Sequence, residues 1–266
     1  MVSATPMNQH YTIVSVDGSN LADHPQTICF INPKHPSYHL KIDWLRERFA
    51  EGMRIKLLYV EGEKRPAGYI EYVPGEKCWR AVSASGYLFI HCIWVNAVKY
   101  KNRGLGSRLL EVCLHDAETN NCNGVAAMTS SGSFMADQSL FEKNGFTSTD
   151  KVFPHYELMV KQLKPGSPPV FNDWRGELKK LHGLHIIYSR QCPWVARFVS
   201  ETGQTLTNAG LPLTITELQT PEQAQSAPSP YAVFNLVYNG RILADHYISE
   251  TRFLNILRKE KLWPKG

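Results

Sequence analysis

Apolar residues recur along this chain with two periods, one of two residues and one of three to four, and the switches between them mark out its elements. Tyr11 to Val16 reads as a strand, and Tyr38, Ile42, Leu45 and Phe49 then fall at helical spacing up to a stop at Gly52. Ile55 to Val60 and Ala67 to Val73, separated by turn residues from Gly62 to Pro66, predict a hairpin. Gly86 to Val95 is a longer, mostly apolar run, the pattern of a strand buried on both faces. Leu105, Leu109, Val112, Cys113 and Ala117 form one stripe of a helix that ends near Asn120-Asn121. A short buried strand, Val125 to Met128, follows. Ala136 to Asn144 reads as a second helix, closed by Gly145 in the left-handed position with Phe146 packing back over it. A strand around Tyr156 to Gln162 completes the region.

Lys164-Pro165-Gly166-Ser167-Pro168-Pro169 cannot continue a helix or an interior strand, so it divides the chain. The expected domains are residues 1–164, a proline-rich linker over 165–176, and residues 177–266. In the last of these, Leu184 to Tyr188 and Leu213 to Leu218 read as strands, with a helix from Trp194 to Glu201 between them. Tyr231 to Tyr238 and Arg241 to Asp245 meet at Asn239-Gly240, a strong hairpin signal, and Ser249 to Glu260 is a closing helix.

A length of 266 residues fits two cores, and 43% hydrophobic with 20% charged residues supplies enough apolar surface to fill them. A net charge of +5 without any long Lys/Arg run argues against a nucleic-acid partner. No apolar run reaches the roughly 20 residues that span a bilayer, and Met1-Val2-Ser3-Ala4-Thr5-Pro6 has no basic segment leading into an apolar one, so no membrane partner is expected and the expected compartment is the cytoplasm. Six cysteines (Cys29, Cys78, Cys92, Cys113, Cys122, Cys192) without C-x-x-C spacing read mostly as buried thiols, and no metal site is expected. Nothing in the sequence sets the oligomeric state.

The chemistry begins where the long strand leads through a polar loop into Lys101-Asn102-Arg103-Gly104-Leu105-Gly106-Ser107. Unpaired N–H groups at a helix start carry partial positive charge, and glycines let a pyrophosphate approach the backbone without meeting a Cβ. Lys101, Arg103 and Arg108 add side-chain charge. The spacing is neither that of a P-loop nor that of a dinucleotide fold, which would need a third glycine at Leu109. A glycine-containing helix start with no ligand would also look like this when taken alone.

Strand, helix, hairpin, long strand, glycine turn, helix, strand, helix, Gly-Phe and strand, taken in this order over residues 10–163, resemble the GNAT acetyltransferases. Their signature, Q/R-x-x-G-x-G/A, has Lys101 at its first position here. Leu140-Phe141-Glu142-Lys143-Asn144-Gly145-Phe146 is similar to the family's later L-Y-x-K-x-G-F element. The resemblance implies an α/β fold built on a mixed sheet, acetyl-CoA as co-substrate, and an acyl transfer to an acceptor such as a small amine. It also implies that Ile93, Trp94 and Val95 offer backbone groups to the pantetheine arm, while Asn102, Arg103, Gly104, Leu105, Gly106 and Ser107 hold the pyrophosphate.

Acyl transfer from a thioester to an amine needs a proton acceptor, a donor to the oxyanion and a proton for the thiolate. Glu71 and His91 are candidates for the base, the latter expected on the face of Ile93 and Val95 by alternation. A solvent-facing strand glutamate and a hydrogen-bonded histidine are the plainer readings of the two. The acid that the family places on tyrosine meets Phe141 here, which leaves Tyr156, Ser139 or water. An acyl-CoA-binding sensor without catalysis is the corresponding alternative.

The order of elements after the linker resembles a smaller thioredoxin-like domain, with Gln191-Cys192-Pro193-Trp194 between strand and helix and Pro228 or Pro230 ahead of a strand. The pairing with a GNAT domain resembles the YoaP-like group over nearly the whole chain. A thiol at a helix N-terminus gains thiolate character, which makes Cys192 a candidate nucleophile and a thiol-dependent redox protein a further alternative. Val195 stands where C-x-x-C would have its second cysteine, which excludes dithiol exchange within the motif.

Overall fold

The computed structural model describes residues 10–25, 31–96, 98–100, 102–132, 135–153, 155–208 and 210–263. In chain order the elements are β1 (Tyr11–Val16), α1 (Pro36–Ala50), β2 (Arg54–Val60), β3 (Gly68–Pro74), β4 (Val82–Ser83), β5 (Tyr87–Val95), α2 (Leu105–Thr119), β6 (Gly124–Ser130), α3 (Gln138–Lys143), β7 (Thr147–Val152) and β8 (Tyr156–Gln162). They continue as β9 (Val170–Phe171), α4 (Trp174–Lys179), β10 (Leu184–Tyr188), α5 (Pro193–Asn208), β11 (Leu213–Glu217), α6 (Pro221–Gln225), β12 (Phe234–Tyr238), β13 (Arg241–Ala244) and α7 (Glu250–Lys259). Two compact units result. One holds β1, Arg48–Gly75 and Ala84–Pro169; the other holds α1 up to Glu47, Glu76–Ser83 and the residues from Val170 onward. The second unit thus draws on two segments that precede the proline-rich stretch.

The first unit is a mixed sheet of order β1-β2-β3-β5-β6-β8-β7, in which β5 and β6 alone run parallel. α2 is the crossover between them. Leu105, Leu109, Cys113 and Ala117 pack on Ile70, Tyr72, Leu88, Ile90 and Val125 of the sheet, as the periodicity predicts, but the fifth member of the stripe is corrected from Val112, which is only half-buried, to the buried Leu110. Asp116 fixes the far end of the same helix, taking the Tyr72 hydroxyl, Arg54 Nη1 at 3.0 Å and Lys56 Nζ at 3.1 Å. Burial opposes the charge on Asp116, but the hydrogen bonds from Tyr72, Arg54 and Lys56 outweigh it and hold the carboxyl below its ordinary value.

In the second unit the sheet order is β11-β10-β12-β13, with β10 and β11 parallel and the other pairs antiparallel. Asn239 and Gly240 turn the β12–β13 hairpin with φ of 47° and 70°, as the Asn-Gly pair predicts. The helix expected over Trp194 to Glu201 runs on to Asn208, because Leu206 keeps the apolar stripe going into the core. A strand expected from Tyr231 is corrected to begin at Phe234. Ala232 takes a left-handed φ of 62°, and the buried Asn235 amide ties the Ala232 carbonyl at 3.2 Å, which keeps this stretch a loop. The segment from Glu76 to Ser83 belongs to this unit through the β4–β9 ladder and through Gln225 Nε2, which donates to the carbonyls of Glu76 and Cys78.

Candidate active site

The parallel ladder between β5 and β6 runs only from Tyr87↔Gly124 to Ile90↔Ala127. Both strands continue beyond it, β5 to Val95 and β6 to Ser130, each paired on its outer side, with β3 and β8 respectively. The ladder with β6 therefore ends at Ile90, and Ile93 to Val95 lie beyond it. The N-terminus of α2 comes after a single 3-10 turn, Val98–Tyr100.

That N-terminus is shaped by two residues in the left-handed region, Asn102 at φ 61° and Gly104 at φ 76°. Gly104 is the N-cap and no side chain caps the helix, so the N–H groups of the first turn point outward without helical partners. Among the described residues a Cβ on Gly104 would meet no atom beyond its chain neighbours within 4 Å, whereas one on Gly106 would come 3.0 Å from Leu140 Cδ1. The two glycines therefore serve different ends: Gly104 sets the turn and keeps the backbone approachable, and Gly106 lets α3 pack on α2. Asn102 and Arg103 are exposed, Leu105 is buried in the core, and Lys101 lies outside the described residues. Arg108 pairs with Glu111 on its own helix at 2.8 Å.

Glu71 and His91 are brought together, and the reason is a β-bulge. Cys92 lies opposite Glu71 and Ile90 opposite Tyr72, so His91 is the extra residue on β5. The bulge corrects the expectation from simple alternation: His91 turns to the Glu71 side, while Ile90 and Ile93 both pack into the α2 core. His91 Nδ1 stands 3.5 Å from Glu71 Oε1, and the Tyr69 hydroxyl donates to Glu71 Oε2 at 2.5 Å. The glutamate is 2% exposed, so it is not the solvent-facing strand residue of the plainer reading. Tyr69 in turn stacks on Trp94, with ring centroids 5.6 Å apart and planes 9° from parallel. A carboxylate and an imidazole in contact inside the protein can accept and pass a proton.

Tyr156 begins β8 opposite Ser130, the last residue of β6, and its ring is buried and stacked on His155 at 4.9 Å. Phe141 is 1% exposed and packs edge-on against Phe146 at 5.3 Å, a wholly apolar position in the core. Ser139 is in the first turn of α3, its N–H capped by Asp137.

Cys192 is in the second unit, immediately before α5, and its carbonyl accepts from the N–H groups of Val195 and Ala196 at 3.1 and 3.2 Å. Sequence reasoning missed its neighbour Arg80, which sits 111 positions earlier than Gln191. Arg80 is 2% exposed, donates to Gln191 Oε1 at 2.6 Å and lies 4.8 Å over the Tyr231 ring. It thereby joins the cysteine-bearing turn to the loop around Ala232. No local pattern in Cys78-Trp79-Arg80 announces this. Burial pushes the Cys78 thiol up to about 12 and the Cys113 thiol well above its ordinary value.

Among the described residues no group of three or more His, Cys, Asp or Glu is arranged to hold a metal ion, and no helix is long and apolar enough to cross a membrane. Residues 20–146 match the acetyltransferase (GNAT) family and residues 212–255 the YoaP-like family. The chain carries a GNAT acetyltransferase domain followed by a YoaP-like region. A curated relative, the uncharacterized N-acetyltransferase YoaP of Bacillus subtilis, is 25% identical over 250 residues, 92% of this chain and 97% of its own. Solved structures similar to it include a GNAT-family acetyltransferase of Staphylococcus aureus Mu50, 15% identical over 58% of this chain and all of its own with a TM-score of 0.41. Another is yncA of Salmonella typhimurium, solved with its cofactor acetyl-CoA, 20% identical over 60% of this chain and 98% of its own with a TM-score of 0.42.

Proposed function

We propose that this enzyme transfers the acetyl group of acetyl-CoA directly to a small-molecule amine, with the Glu71–His91 pair as the proton acceptor. The observation that carries this reading is the meeting of that pair at the β5 bulge, just past the end of the β5–β6 ladder. An extended pantetheine arm fits Ile93 to Val95, where β5 runs on past its ladder with β6, because strand-like hydrogen bonding needs only backbone groups. The pyrophosphate fits the uncapped start of α2 at Asn102 to Ser107. The amine loses its proton toward Glu71 and His91 as its nitrogen attacks the thioester carbonyl. A backbone N–H near Ile93 to Val95 stabilises the oxyanion, and collapse expels the thiolate of CoA. Tyr156 is the proposed source of the thiolate's proton, since it stands at the end of β6 while Phe141 is locked into the core. The reading is tested by following release of the free CoA thiol with a panel of primary amines. At least one amine is expected to raise release well above the rate of thioester hydrolysis, and no response to any amine would count against it.

The order β-α-β-α-β-β-α from β10 to α7, with its parallel β10–β11 pair, supports a thioredoxin-like reading of the YoaP-like region. In that reading Cys192 is an activated thiol, its carbonyl opening α5 and Arg80 bonded to the residue before it. Iodoacetamide near neutral pH is expected to label Cys192 ahead of Cys78 and Cys113, whose thiols burial keeps protonated. Labelling of Cys192 no faster than of those two would make it a packing residue.

A further inference from the structure

The glycine turn assigned to the pyrophosphate has a side chain behind it that the reaction has not so far used. Asn144 caps the C-terminus of α3, and its Nδ2 donates to the Leu140 carbonyl at 2.7 Å and to Ser107 Oγ at 3.0 Å. A carbonyl oxygen only accepts, so the Leu140 contact fixes which end of the amide is the nitrogen. Both N–H bonds of that nitrogen are then committed, and Ser107 Oγ is the acceptor of one of them. A hydroxyl that accepts in this way keeps its own proton to donate elsewhere. Ser107 is in the first turn of α2, among the N–H groups that the helix leaves without partners. Asn144 is itself held, because its carbonyl accepts from Lys161 Nζ at 2.8 Å and α3 meets α2 directly at Gly106.

We propose that Asn144 is a positioning residue for the pyrophosphate of acetyl-CoA: it holds Ser107 Oγ as an acceptor so that the serine proton is presented to a phosphate oxygen. The proposal rests on the reading of Asn102 to Ser107 as the pyrophosphate site. It differs from an ordinary helix cap because its effect reaches the ligand only through Ser107 and only where the ligand carries phosphate.

Calorimetric titration with CoA and with pantetheine, which lacks the pyrophosphate, separates the two. Ser107→Ala and Asn144→Ala are each expected to weaken CoA binding by roughly tenfold to a hundredfold, the worth of one hydrogen bond to a charged group. The double variant should be no weaker than either single one, and pantetheine affinity should not change. Asn144→Asp should be worse than Asn144→Ala, because a carboxylate draws the Ser107 proton inward and faces the phosphates with like charge. Additive losses, or equal weakening toward pantetheine, would overturn the proposal. Ser107→Ala leaves the α3 cap untouched, so unchanged CoA affinity in that variant overturns it even if Asn144→Ala does not fold. Failure of the underlying site reading looks different: the wild-type chain would not bind CoA, or Gly104→Val would bind it as the wild type does.

Discussion

Gly104→Val is expected to weaken acetyl-CoA binding by about a hundredfold or more while the protein stays folded. Two effects act together at this position. The φ of 76° is one that a β-branched residue adopts only at a cost of about 1–2 kcal/mol or more, so the turn shifts and the first N–H groups of α2 no longer converge. Where the turn does hold, the new side chain stands in the space the pyrophosphate needs. Among the described residues an added Cβ meets no atom beyond its chain neighbours within 4 Å, so the loss will not come from disrupted packing. Gly106 offers the contrast. Substitution there presses on Leu140 and should lower the melting temperature as well as the affinity. Calorimetry on Gly104→Val, with a thermal melt to establish folding, checks the prediction. Unchanged affinity would remove the turn from the binding site.

Glu71→Gln is expected to lower kcat by roughly 10²- to 10³-fold, the usual worth of a positioned proton acceptor, while leaving the KM for acetyl-CoA near its wild-type value. The amide has the shape of the carboxylate and can still accept from the Tyr69 hydroxyl, so the buried cluster should remain packed. What it loses is the ability to take a proton. If Glu71 and His91 act as one unit, His91→Gln should cost a similar factor and the double variant little more. Multiplied losses would instead mean separate roles. A kcat within about twofold of wild type for Glu71→Gln would return Glu71 to the status of a buried structural carboxylate, with the base sought elsewhere.

Much of the first unit was legible because its signals are local. The stripe on α2, the Asn102–Ser107 turn and the Gly145–Phe146 cap each depend on residues within a turn or two of one another; the turn and the cap stand where the pattern puts them, and so does the stripe except that Leu110 replaces Val112. Strand β7 was missed for a physical reason. Thr147 to Val152 is an edge strand largely exposed to solvent, so it carries no apolar alternation to be read. The three-residue loop from Tyr231 to Val233 reads as strand because its residues are apolar, Ala232 and Val233 being buried as well; the left-handed Ala232 that breaks the strand has no sequence mark in an alanine.

By itself, then, the sequence determined the succession of elements, the glycine turn and the candidates Glu71, His91, Tyr156 and Cys192, since periodicity and backbone freedom act over short stretches of chain. Only the tertiary structure decided which of them meet. A one-residue bulge on β5 sends His91 to Glu71 rather than to the face of Ile93, and alternation cannot foresee a bulge because register is set by the partner strand. The same holds for Arg80 beneath the Cys192 turn and for Asn144 behind Ser107. Each of those contacts joins residues far apart in sequence, and it exists only because the packing of whole elements brings their side chains within hydrogen-bonding distance.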